Sequence, residues 1–208
     1  MFINVKLKAT VTFIAFFHII LAYIIVQHSV DDSISLVTEL DILLPFVPIF
    51  VWPYISLFPV TFLTFVLLVK RHFVFKIAII SSIIALAISI FFYLMLPSMY
   101  LLRPDIHESD SLSLMLCSLI YQYDLTNNSF PSLHVAYACI LYLVTQISVY
   151  SHLVWLRLSY MLWMMLVILS TLLIKQHHII DVLGGILVAL ASFKVSTFLV
   201  RRSDAKKS

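Results

Sequence analysis

The chain has 208 residues, 62% of them hydrophobic and 11% charged, with a formal net charge of +3. A soluble domain of this size has no use for so much apolar surface, so the composition excludes a soluble enzyme and identifies a polytopic membrane protein. The basic residues lie in short loops beside apolar runs, which carries no nucleic-acid signal, and Cys117 and Cys139 form neither a CxxC pair nor a disulfide framework.

Residues 9–26 follow Lys6 and Lys8 as a long apolar run without a small-x-small cleavage site, and are expected to be a retained first helix. Residues 27–48 carry Asp31, Asp32, Glu39 and Asp41 ahead of Pro45 and Pro48. That pattern predicts an external connection with a short interfacial helix broken by the prolines. Spans are expected at 50–69, tolerating Pro53 and Pro59, and at 74–96, joined by a basic turn at Lys70, Arg71 and Lys76. Residues 97–131 form the longest polar connection. Within it, Leu112, Met115, Leu116, Leu119 and Tyr123 recur at helical spacing over 111–123, predicting an amphipathic helix in the interface. Further spans are expected at 132–150, 155–174 and 177–200, after which Arg201, Arg202, Lys206 and Lys207 close the sequence.

The expected fold is therefore all-α: a single membrane domain over residues 1–208, built as a six-transmembrane-helix bundle with a short interfacial helix in the external loop. Six spans put both termini on one side, and Lys6, Lys8, Lys70, Arg71, Lys76, Arg157, Lys194 and the C-terminal cations fall there. By the positive-inside rule that side is cytoplasmic. Only Arg103 and Lys175 remain on the other side, and both adjoin histidine-bearing stretches.

Three stretches converge on that outer face: LPSMYLLRPD with Arg103, NNSFPSLH with Ser132 and His134, and STLLIKQHHIIDVLGG with Ser170, Lys175, His177 and Asp181. His177 and Asp181 are four residues apart, which on a helix stacks them on one face. An intramembrane carboxylate is costly without a partner, and His177 is the evident one. His178, about 100° further round such a helix, is read as interfacial packing, and His18, His28, His72, His107 and His152 as packed or interfacial residues. Two imidazoles, a carboxylate, an arginine and helix N-termini suit a phosphoryl group: one histidine attacks phosphorus, the other protonates the leaving oxygen, and cations and N–H groups hold the equatorial oxygens.

In these motifs the sequence resembles the type 2 phosphatidic acid phosphatase superfamily, whose patterns are KxxxxxxRP, PSGH and SRxxxxxHxxxD. They correspond to Leu96 through Arg103-Pro104, to Pro131-Ser132-Leu133-His134, and to Ser170-Thr171 through His177 and Asp181. FPSLH followed by QHHIIDVLGG is most similar to the branch containing inositol phosphorylceramide synthases. The resemblance implies a metal-independent phosphohistidine mechanism without a cofactor. His177 would be the nucleophile, Asp181 its orienting partner and His134 the acid, with Arg103, Ser132 and Ser170 on phosphate. Two family cations are replaced, by Leu96 and Thr171. Lys175, one helical turn beyond Thr171 if the fifth span continues, is expected to take over part of the lost charge. Gly184 and Gly185, the only glycines, are expected to allow close helix packing.

The leading expectation is an integral-membrane lipid phosphatase of the inner (cell) membrane, with cytoplasmic termini and an extracytoplasmic site. Its partners would be the bilayer and a lipid phosphate or diphosphate, of phosphatidic acid or polyprenyl diphosphate type. The alternative is a head-group phosphotransferase, in which an alcohol replaces water. A non-catalytic membrane interaction protein on the same scaffold gains from Leu96 and Thr171 but leaves the retained His134, His177 and Asp181 unexplained.

Overall fold

The structure is a computed structural model that describes residues 34–106, 111–124, 126–148 and 150–206. The expected span at 9–26, with Lys6, Lys8, His18 and His28, lies outside the described residues, as do His107 and Lys207. Seven α-helices make up the described chain: α1 (Glu39–Leu43), α2 (Val51–Leu68), α3 (His72–Met95), α4 (Leu112–Tyr123), α5 (Leu133–Ile147), α6 (Val154–Leu173) and α7 (Ile179–Ala205). Among the described residues, four helices are long and apolar enough to cross a membrane: α2 with the 3-10 turn that precedes it, α3, α6 and α7.

The stretch expected as a 132–150 span folds as the 15-residue α5, shorter than those four. Its sequence, LHVAYACILYLVTQI, is apolar nearly all round, the pattern of a helix enclosed on every side. It packs against α2, α3, α6 and α7, and Val135, Ala136, Ala138, Ile140 and Val144 are fully buried. Small residues let neighbours come close where lipid supplies no hydrophobic driving force between helices. Ala78, Ser81, Ser82, Ala85 and Ser89 line one face of α3, and Ala189, Ser192 and Ser196 line α7, all buried. The Ser81 and Ser196 hydroxyls join across this seam at 2.6 Å. On the other flank, Thr64 meets Tyr160 at 2.6 Å and the Trp163 indole donates to Ser56 at 2.9 Å, tying α2 to α6.

α1 and α4 are the two short helices expected in the connections. Thr38 caps α1, and its hydroxyl and backbone N–H both donate to the Asp41 carboxylate, a reciprocal capping box. Leu112, Met115, Leu119 and Tyr123 of α4 are exposed, whereas Cys117 is buried against the Pro48 carbonyl. A two-residue parallel pair, β1 (Ile34–Ser35) with β2 (Ser98–Met99), was not anticipated and ties the first described residues to the Arg103 loop.

Lys76 Nζ lies 2.9 Å from Asp204 Oδ1, so the α2–α3 turn and the end of α7 share one end of the bundle. α7 is 27 residues long, about 40 Å, so its first turn lies at the opposite end. All three motif stretches meet at that far end.

Candidate active site

The third motif begins where α6 ends. Lys175 adopts φ 55°, the left-handed conformation that glycine usually supplies after a helix. Gln176 N–H bonds back to the Thr171 carbonyl at 3.0 Å and Lys175 N–H to Leu172 at 3.2 Å, closing the helix end. The Thr171 carbonyl also accepts from His177 N–H at 3.1 Å, which directs the chain back over the bundle. A side chain in this conformation costs about 1–2 kcal/mol. The Lys175 ammonium is buried and donates to the Asp41 carbonyl at 2.9 Å and the Leu44 carbonyl at 2.6 Å. Burial pushes its pKa down, against the opposing pull of the Asp41 charge. The helix thus stops at Leu173, and Lys175 does not continue the helical face of Thr171.

α7 starts at Ile179, so His177 and Asp181 do not meet as neighbours on one helix. They meet through a cap. Asp181 is fully buried, and its Oδ2 accepts from His178 N–H at 2.8 Å. The same oxygen lies 3.5 Å from His177 Nδ1 and 3.2 Å from His178 Nδ1. One backbone hydrogen bond and two facing ring nitrogens around one carboxylate oxygen offset the desolvation of its charge. His178 is therefore not an interfacial residue: it is fully buried, caps α7 and packs its ring on Tyr100 at 4.4 Å between centroids. The next N–H of α7, that of Ile179, donates to Asp41 Oδ1 at 2.8 Å.

The second motif is pinned from several directions. Ser98 Oγ accepts from Phe130 N–H at 2.8 Å, Tyr93 donates to the Pro131 carbonyl at 3.0 Å, and the Phe130–Pro131 peptide is cis. Ser132 is the N-cap of α5; its Oγ accepts from Val135 N–H, and its own N–H donates to the Asp181 carbonyl at 3.0 Å. That last bond joins the second and third motifs directly. The glycines make it possible: a Cβ at Gly185 would stand 2.5 Å from the Ser132 carbonyl oxygen, and one at Gly184 2.5 Å from the Phe130 ring.

His134 then stands over the third motif. Its ring stacks on Tyr54 at 4.0 Å and 18°, takes Phe58 edge-on, and lies 6.3 Å from the His177 ring at 52°. His134 Nε2 is buried without a protein hydrogen-bond partner among the described residues. Arg103 donates to the Asp124 carbonyl at 2.7 Å and to Gln176 Oε1, and its guanidinium lies 4.7 Å above the Tyr121 ring. It is thereby attached to the residue just before His177. Ser170 is fully buried and donates to the Val167 carbonyl, while Thr171 donates to Ile168.

The structure therefore brings together His134, His177 and Asp181, with Ser132 bonded to the Asp181 backbone and Arg103 on Gln176, one residue before His177. It turns Ser170 into its own helix and Lys175 toward residues 41–44. Sequence reasoning passed over Tyr54 and Gln176, read His178 as packing, and took Asp41 only as part of the acidic connection. Only Asp41 had a legible signal, the Thr-x-x-Asp capping pattern at 38–41. Among the described residues no cluster of His, Cys, Asp or Glu could hold a metal ion.

No curated protein and no solved structure matches the chain. The PAP2 superfamily profile matches residues 98–204. That range holds Arg103, the NNSFPSLH loop, α5, and the whole turn from Ser170 to Asp181. On a match over half its length, which takes in Arg103 and both of the other convergent stretches, the chain belongs to the PAP2 superfamily.

Proposed function

We propose that this protein is an integral-membrane lipid phosphatase acting through a phosphohistidine on His177. Members of the superfamily are generally phosphatases. The observation that carries the reading is the pairing of two imidazoles from different helices, His134 and His177, 6.3 Å apart, with the Asp181 carboxylate on the Nδ1 side of His177. A carboxylate there keeps the proton on Nδ1 and leaves Nε2 as the nucleophile. Nε2 attacks phosphorus, the bond from phosphorus to the lipid oxygen breaks, and His134 gives its proton to that oxygen. Water then attacks phosphorus while His134 takes its proton, and the bond from phosphorus to His177 Nε2 breaks, releasing phosphate and restoring both rings. Arg103 exchanges its Gln176 contact for a phosphate oxygen, and Ser132 contributes at the start of α5. Ser170 and Lys175 reach the substrate only if their present bonds to Val167, Asp41 and Leu44 are given up.

The bundle is set in the inner membrane with the Lys76–Asp204 end cytoplasmic, following the charge distribution. The test is phosphate release from phosphatidic acid and from a polyprenyl diphosphate by purified protein in detergent with chelator present, against a His177→Ala control. Release by the native protein alone supports the reading. Transfer of label to an added alcohol in place of release redirects it to a phosphotransferase of the inositol phosphorylceramide synthase type. Equal silence from both proteins overturns it in favour of a non-catalytic membrane protein.

A further inference from the structure

His177 is bracketed by two attachments to one distant segment. Two residues before it, the Lys175 ammonium donates to the carbonyls of Asp41 and Leu44; two residues after it, Ile179 N–H donates to the Asp41 carboxylate. A third tie, Val47 N–H to the Leu173 carbonyl at 2.9 Å, holds the same segment to the end of α6. Asp41 is 1% exposed, and both of its carboxylate oxygens are committed, one to Thr38 and one to Ile179. Residue 41 lies outside the 98–204 range that carries the family match. A carboxylate at the start of α7 is favoured by the helix dipole. It also takes an N–H group that a substrate phosphate could otherwise use. A lysine in a backbone conformation suited to glycine is accounted for by what its ammonium reaches: not an anion but two carbonyls of the docked segment.

We propose that Asp41 and Lys175 are positioning residues that latch segment 38–44 onto the 175–179 turn and so hold His177 facing His134. This rests on the phosphohistidine reading for its effect on turnover, but the latch itself is a statement about the turn. It replaces the expectation that Lys175 substitutes for a missing phosphate cation.

The experiment compares Asp41→Ala, Asp41→Asn, Lys175→Met and Lys175→Gly with the native protein in detergent. It reads kcat, KM, inhibition by orthovanadate as a phosphate mimic, and amide hydrogen exchange across residues 174–182. Asp41→Ala and Lys175→Met should each lower kcat by about tenfold or more with KM and vanadate inhibition within about twofold, the split expected when geometry rather than binding is lost. A variant carrying both Asp41→Ala and Lys175→Met, measured alongside, should be little worse than either single one, because both open one latch. Exchange across 174–182 should quicken in both. Asp41→Asn, which keeps an oxygen for Ile179, should recover much of kcat; Lys175→Gly, which relieves the backbone but removes the ammonium, should not. Weakened vanadate inhibition and raised KM with kcat retained in Lys175→Met would make Lys175 a phosphate ligand and overturn the proposal. Native kcat in Asp41→Ala would do the same. If native protein and His177→Ala are equally silent on lipid phosphates, the phosphatase reading falls by itself, and unchanged exchange in Asp41→Ala and Lys175→Met then overturns the latch.

Discussion

Asp181 serves two rings with one oxygen. Its Oδ2 faces Nδ1 of both His177 and His178 and also accepts the His178 N–H, so the carboxylate fixes the turn as well as the His177 ring. Asp181→Asn keeps the shape but can no longer hold a proton on His177 Nδ1 by charge. It should lower kcat by about 10²–10⁴-fold with little change in KM, measured on lipid phosphate at saturating substrate. His177→Ala should remove turnover and, with radiolabelled substrate, the acid-labile protein-bound phosphate that brief quenching captures from the native protein. His134→Asn should slow turnover by about 10²–10⁴-fold for substrates with alkoxide leaving groups. The loss should be smaller with an aryl phosphate, whose leaving oxygen needs less help from a proton. An equal loss on both substrates would remove His134 from the acid role.

At the scale of elements, the site depends on how closely α7 approaches the start of α5. Gly185→Ala drives a methyl group into the Ser132 carbonyl oxygen, which is backbone and can yield only by separating the two helices. It should cost about 1–3 kcal/mol of stability, seen as a lower Tm in detergent, and should reduce kcat because the His134–His177 spacing widens. Gly184→Ala meets the edge of the Phe130 ring, a side chain that can turn aside, and should cost less. These elements were unequally legible in sequence. α3, α6 and α7 are long uniform apolar runs, and the three motifs name His134, Arg103, His177 and Asp181 whatever the local backbone does. The error at the turn is to start the last helix at His177, two residues before Ile179, and to extend the face of α6 as far as Lys175. Nothing in KQHH signals a left-handed residue, since lysine takes that conformation only with the help of Asp41 and Leu44, more than 130 positions away. The same error turned His178 outward. Tyr54 was illegible for another reason: a tyrosine inside an apolar run reads as bilayer belt until its stacking partner is known.

For the molecule as a whole, the machinery gathers at one end of the bundle, while Lys76, Asp204, Arg201 and Arg202 mark the other. If rings, carboxylate and guanidinium supply nucleophile, acid and charge as proposed, turnover should be unaffected by a chelator and by added divalent ions, measured as phosphate release from detergent-dispersed lipid. A steep loss on chelation would refute the histidine chemistry. The short α5 has a geometric outcome. It and the 20-residue α6 leave the same turn near residues 148–153, so α6 overtops α5 by about 7–8 Å. His134, near the start of α5, therefore lies below the end of α6, and the chain after Leu173 turns back to place the His177 ring 6.3 Å from it. On the proposed phosphatase reading, a phosphorus atom reaching His134 passes the end of α6, so bulk on its other oxygens should count against turnover. Slim monoesters and diphosphates should pass, and phosphodiesters bearing a sugar or inositol ring should be turned over far more slowly.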